Sequence, residues 1–214
     1  MVSEHYFTRT PAGDPTRRPL TALLAGKAVH VHSAGGVFSP RRVDTGTSLL
    51  LECAPPPPAR GELLDLGCGW GPIALTLALL SPEATVWAVD VNDRALELVR
   101  ENSSALGLPG VRPARPEEVP AQIRFQTIWS NPPIRVGKKA LHDMLAAWLP
   151  RLAADGEAWL VVQKNLGADS LQGWLNEQPG LTAERAGSRK GYRIVRVGRS
   201  PGQAPALRPG AAGR

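Results

Sequence analysis

The segment ELLDLGCGWGPIALTLALLSPEATVWAVD, residues 62–90, limits the possible folds more than any other part of the 214-residue chain. ELLDL is a short apolar run suited to a buried strand, and three glycines at alternate positions follow it. GPIALTLALL then opens a helix, with Pro72 at an early position where its missing N–H removes no hydrogen bond. ATVWAVD, residues 84–90, returns to a strand. Two strands joined through a helix run parallel, and a parallel sheet needs helices over both faces.

The alternation continues downstream. Asp93 stands where it can cap a helix whose Leu96, Val99, Ser103 and Leu106 share one face, and Gly107 ends it. Val111 to Ala114 reads as a third strand and QTIWSN, residues 126–131, as a fourth. The next helix carries Leu141, Leu145, Trp148 and Leu152 at helical spacing, which marks a core face. EAWLVVQ (157–163) is a fifth strand, DSLQGWLNE a helix, and LTAERA with YRIVRV a closing antiparallel pair. Upstream, residues 20–38 alternate apolar runs with turn glycines, the pattern of small hairpin strands. VDTGTSLLLECA (43–54) reads as a helix that stops before Pro55–Pro58, a stiff connector. The expected division is an N-terminal β/α lobe over 1–58, an α/β domain over 59–199 and a disordered tail over 200–214.

Composition excludes several classes of function. Cys53 and Cys68 are too few for a disulfide framework and lack zinc spacing, while His30 and His32 alternate along a strand with no further ligand, so no metal is expected. MVSEHYFTRT has no apolar leader core, and no run approaches the roughly 18 apolar residues of a membrane span, so a soluble cytoplasmic protein is expected. Twenty-five Lys and Arg against 19 Asp and Glu leave a charge of +6, which favours anionic partners or a merely solvated basic surface.

Within the constraining segment, Gly67, Gly69 and Gly71 lie between strand and helix, where missing Cβ atoms let a ligand approach the backbone and the helix N-terminus. The spacing is GxGxG, not the GxGxxG of nicotinamide-binding folds. Asp90 ends the next strand, where an acid in a doubly wound sheet accepts hydrogen bonds from ribose hydroxyls. A nucleoside-bearing ligand is indicated.

LDLGCGWG and AVDVND resemble the first and second cofactor motifs of class I methyltransferases that use S-adenosylmethionine. That resemblance spans roughly residues 60–198 and implies a Rossmann-like, seven-stranded sheet, mostly parallel with an antiparallel C-terminal strand. It implies that Gly67, Gly69 and Gly71 cradle the methionine part, that Asp65 helps hold its ammonium group, that Asp90 takes the ribose and that Asn92 flanks ribose or adenine. The acid that the family often places after the third strand is absent: VRPARPEEV has Arg115 and Pro116 there, with Glu117 nearby.

Asn131-Pro132-Pro133 ends the fourth strand at the edge that borders such a cofactor crevice. Each proline fixes its own φ, restricts the residue before it and offers no backbone donor. The Asn131 side-chain carbonyl and the Pro132 backbone carbonyl then form a stiff pair of acceptors for an exocyclic NH₂ on a planar group. Rigid placement of this kind is worth roughly 7–11 kcal/mol to a transfer reaction. Ile134 adds apolar contact without a π face, whereas adenine-N6 and glutamine-amide methyltransferases usually have an aromatic at that place.

NPPIRVGKK, with HYFT (5–8), GVFSPRRVDTGTSLLLE (36–52) and KGYRI (190–194), resembles single-domain relatives of the ribosomal small-subunit RNA guanine-N2 methyltransferases. The two-domain members carry a further domain ahead of the segment matched here, and an aromatic after NPP. The resemblance makes Asp44, Gly46 and Thr47 candidate cofactor contacts. Arg41, Arg42, Arg135, Lys138 and Lys139 are candidate contacts to RNA phosphates if they face the crevice mouth. The expectation is methyl transfer from S-adenosylmethionine to guanine N2 of RNA, most simply ribosomal RNA or a ribosomal subunit. Adenine N6, a protein glutamine amide, and a cofactor-binding RNA partner without catalysis remain alternatives.

Overall fold

The computed structural model describes residues 13–133 and 136–200. Ile134, Arg135, the HYFT motif and the segment 201–214 lie outside the described residues. In chain order the strands are β1 (Arg18–Leu24), β2 (Lys27–Ser33), β3 (Arg60–Leu66), β4 (Glu83–Val89), β5 (Val111–Ala114), β6 (Phe125–Ser130), β7 (Leu152–Gln163), β8 (Leu181–Arg189) and β9 (Tyr192–Arg199). The helices are α1 (Thr45–Cys53), α2 (Pro72–Leu80), α3 (Asp93–Ala105), α4 (Lys138–Trp148) and α5 (Ala168–Asn176).

Seven strands form one sheet in the order β5-β4-β3-β6-β7-β9-β8. β3 to β7 pair in parallel, β9 is antiparallel to both β7 and β8, and the expected Rossmann-like sheet with its reversed C-terminal strand is present. From β3 the chain winds outward to β4 and β5, then crosses to β6 and β7 on the other side. The switch therefore falls between β3 and β6, and a ligand crevice opens beyond the carboxyl ends of strands at such a point. The Ser130 hydroxyl donates to the Leu66 carbonyl at 2.6 Å, which levels the ends of β6 and β3 just before Asn131 and Gly67.

The hairpin of β1 and β2 forms a separate two-stranded sheet. Its alternation puts Ala22, Leu24, Val29 and Val31 into a buried cluster with Trp70, Leu75, Ala95 and Leu98, so it is a third layer laid over α2 and α3. That layer explains why α2 is apolar all round: Ile73, Ala74, Leu75, Leu77 and Ala78 are buried between sheet and hairpin. His30 and His32 sit on the hairpin's exposed face. Asn102 of α3, fully buried, locks the layers together. Its Oδ1 accepts from His32 N at 2.7 Å, and its Nδ2 donates to the carbonyls of His32 (2.9 Å) and Trp70 (3.1 Å).

One capping assignment changes. Asn92, not Asp93, is the N-cap of α3, with Oδ1 accepting from Arg94 N at 3.0 Å. Asp93 is the first helical residue and pairs with Arg115 at 2.6 Å. Either side chain suits the position by type, and the extended backbone at Asn92 decides between them. No helix among the described residues is long and apolar enough to cross a membrane.

Candidate active site

The glycine loop works by alternation. Cys68 is buried in the cluster between α2 and the sheet, and Trp70 in the cluster beneath the hairpin, where its indole N–H donates to the Ser39 carbonyl at 3.2 Å. The intervening glycines are left at the surface of the turn. At Gly67, φ is +81° and the space a Cβ would occupy is empty, so both the backbone conformation and the room for a ligand call for glycine. Gly71 (φ +99°) opens α2, and a Cβ there would meet Val99 at 3.0 Å.

Asp90 holds this loop. Its Oδ2 accepts from Gly69 N at 3.0 Å and its Oδ1 from Asn92 N at 3.0 Å, so one carboxylate joins the two turns at the ends of β3 and β4. Burial raises its pKa, and the backbone N–H groups of Asn92 and Gly69 act against that. Asp65 is fully buried at the end of β3, and its Oδ2 accepts from Ala74 N at 2.9 Å in the first turn of α2. Its Oδ1 has no hydrogen-bond partner. Burial, and after it the nearby Asp90 charge, pushes the Asp65 carboxyl well above the usual carboxylate range. An orphaned buried carboxylate oxygen is what a cationic ligand group would satisfy.

A crevice of about 420 Å³ opens beyond the ends of β3 and β4, lined by Leu66, Gly67, Asp90, Val91, Pro116, Pro133, Met144 and Trp148. Apolar walls with two acids, Asp90 and Asp143, suit a flat heterocycle attached to a ribose. Pro116 forms part of the wall where the family's adenine-binding acid was missed, and Asp143 of α4 borders the same space. Nothing in the sequence beyond helical spacing marked Met144 and Asp143. Asn92 turns its amide into the protein: Nδ2 donates to the Gly36 carbonyl at 2.8 Å while Oδ1 caps α3.

Asn131, Asp44, Thr47, Phe38, Gly67 and Gly69 meet in a narrow cleft on the other side of the glycine loop. Asn131 Nδ2 donates to Asp44 Oδ2 at 3.0 Å and to Thr47 Oγ1 at 3.0 Å. The Asn131 Oδ1 and the Pro132 carbonyl have no partner among the described residues. Asp44 is the N-cap of α1, its Oδ2 accepting from Gly46 N at 2.8 Å. Gly46 is required by contact, since a Cβ would come within 2.9 Å of the Tyr192 ring. Phe38, 44% exposed, is an aromatic at the cleft whose role the sequence did not signal.

The basic candidates separate. Lys138 begins α4 a few residues after Pro133, and Lys139 pairs with Asp143 at 2.6 Å on the exposed helix face. Arg41 and Arg42 instead border a second hollow of about 620 Å³ between the hairpin, α1 and the proline connector. No cluster of three or more His, Cys, Asp or Glu suited to a metal occurs among the described residues.

A doubly wound sheet with a glycine-lined pocket and an Asn-Pro-Pro turn at its switch point defines a class of group-transfer enzyme. The sequence profile of the methyltransferase small domain matches residues 28–196, and the chain belongs to that family. It is 36% identical over 201 residues to the uncharacterized protein YbxB of Bacillus subtilis (strain 168), covering 92% of this chain and 98% of that one. It is 33% identical over 191 residues to the ribosomal RNA small subunit methyltransferase C of Stutzerimonas stutzeri (strain A1501), covering 87% of this chain and 56% of the relative. Among solved structures, the T. thermophilus 16S rRNA N2 G1207 methyltransferase (RsmC), in complex with AdoMet and guanosine, superposes with a TM-score of 0.76 at 25% identity. That match covers 89% of this chain and 52% of the other, so the chain spans about half the length of these named methyltransferases.

Proposed function

We propose that this chain transfers a methyl group from S-adenosylmethionine to the exocyclic N2 amine of a guanine in RNA, with ribosomal RNA as the substrate. The observation that carries the proposal is the outward Oδ1 of Asn131. With Nδ2 engaged by Asp44 and Thr47, the amide presents only its oxygen to the cleft beside the glycine loop.

The residues present fit the cofactor. Asp65 Oδ1 would meet its ammonium group, the Gly67 and Gly69 backbone its methionine part, Asp90 its ribose hydroxyls, and the apolar crevice its adenine. Bound there, S-adenosylmethionine supplies an electrophilic methyl on a sulfonium. The protein's part is to place the acceptor. Asn131 Oδ1 and the Pro132 carbonyl would each accept one N–H of the target amine, leaving its lone pair directed out of the ring plane. No side-chain base is needed, because the nitrogen becomes strongly acidic as it gains its new bond and water takes the proton.

Guanine is favoured over adenine and glutamine by similarity to methyltransferases named for small-subunit ribosomal RNA, one of them a 16S rRNA N2 G1207 methyltransferase. The test is nucleoside mass spectrometry of ribosomal RNA from a strain lacking the protein. N2-methylguanosine should fall and be restored by the wild-type chain but not by Asn131→Ala. An unchanged level, or loss of N6-methyladenosine instead, contradicts the guanine assignment.

A further inference from the structure

We propose that Asp44 and Thr47 are positioning residues that fix which face of the Asn131 amide meets the substrate. The inference rests on Asn131 acting as the acceptor for the target amine. A primary amide has two nearly isosteric orientations, related by a half-turn about its last bond. In one, Oδ1 faces the substrate amine and can accept its hydrogen. In the other, Nδ2 faces it, and donor opposes donor.

The Asp44 carboxylate opposes the second orientation. Asp44 Oδ2 accepts from Gly46 N at 2.8 Å and from Thr47 N at 3.4 Å, so it is already committed as an acceptor where it meets the Asn131 amide. Thr47 Oγ1 lies 3.0 Å from the same Nδ2, on a residue only 3% exposed. Turning the amide over would set its oxygen against the Asp44 carboxylate, which has no hydrogen to donate, and would require the Thr47 hydroxyl to reverse from acceptor to donor. Donation from Nδ2 to a carboxylate also draws electron density onto Oδ1, which strengthens it as an acceptor. The segment Asp44-Thr45-Gly46-Thr47 is thereby explained by position. Asp44 caps α1 and anchors the amide, Gly46 leaves room for Tyr192, and Thr47 supplies the second acceptor. Its link to the cofactor is then indirect, through the geometry of the transfer.

The experiment measures turnover, RNA KM and S-adenosylmethionine affinity for Thr47→Val and Asp44→Ala, with Thr47→Ser and Asp44→Asn as conservative partners. Thr47→Val should lower kcat about 10-fold and Asp44→Ala somewhat more, while cofactor Kd and RNA KM stay within about twofold, as expected when only transition-state placement is lost. Serine and asparagine keep an oxygen at the right place and, for residue 44, keep a good N-cap, so each should recover most of the loss. In the Asn131→Ala background, Thr47→Val should add nothing further, because its effect passes through the missing amide. Weakened cofactor affinity with kcat preserved, or a full Thr47→Val effect in that background, overturns the proposal. Wild-type turnover by Asn131→Ala alone would instead remove the catalytic role of Asn131, an outcome distinct from both.

Discussion

The two sides of the site are built by different means. On the cofactor side, the ordering bonds run from the Asp90 and Asp65 carboxylates to backbone N–H groups of the adjoining turns and helix. On the substrate side, the Asn131 amide is ordered by side chains of α1, 84 and 87 residues away in sequence. The first arrangement is a property of neighbouring strand ends and forms with the sheet. The second exists only when α1 has docked, so it depends on a long-range contact.

Asn131→Ala should separate the two sides most clearly. It removes an acceptor used only in transfer, so kcat should fall about 100-fold or more while calorimetry finds cofactor affinity nearly unchanged. Asp90→Ala attacks the other side. Two nearly buried N–H groups, of Gly69 and Asn92, lose their acceptor, which should cost about 2–4 kcal/mol of unfolding free energy and weaken cofactor binding at least about tenfold. Denaturant titration and calorimetry measure these two effects independently.

Asp65→Asn should move stability and affinity in opposite directions. Burial raises the folded-state pKa of Asp65, so the native state holds a proton that the unfolded chain releases. Stability of the ligand-free protein therefore falls as pH rises from the ordinary carboxylate range towards the raised value, and then levels. Asparagine flattens that fall and should leave stability at neutral pH equal or higher by up to about 1 kcal/mol, since folding no longer has to protonate or bury a carboxylate. Cofactor affinity should nevertheless drop about tenfold, with loss of the rise in affinity that wild type shows as Asp65 ionises. A large loss of stability in Asp65→Asn would mean that the orphaned oxygen is satisfied in the free protein.

The smallest effect concerns RNA. Lys138→Ala should reduce the slope of log affinity against log salt by about 1, as for one lost phosphate contact. Arg41→Ala and Arg42→Ala, at the separate hollow, should change it less. An equal effect from all three would place RNA across both hollows.

The sheet was legible because its signals are local: the β3–α2 turn carries glycine, proline and strand chemistry within a few residues, and Asp90 ends the neighbouring strand. Strand ends shifted by up to three residues, and β7 began five residues earlier, at Leu152, with a register shift between Phe125 and Thr127 where Gly156 lies close to the Phe125 carbonyl. The third layer escaped notice since a hairpin's partner is not written in its own pattern. Asn102 escaped for a similar reason. A polar residue on an otherwise apolar helix face looks solvent-directed until the hairpin places a backbone donor and acceptor opposite it. Asp44 and Thr47 stood out in the sequence only as candidate cofactor contacts, and their bond to Asn131 depends on a contact that motif spacing does not encode.

The most direct measurement is transfer of tritiated methyl from S-adenosylmethionine to ribosomal subunits and purified RNA taken from a strain lacking the protein, followed by nucleoside identification. Labelled N2-methylguanosine, absent with Asn131→Ala, is the expected product. Label in N6-methyladenosine or in protein glutamine, or tight cofactor binding with no labelled product, would contradict guanine-N2 transfer by this site.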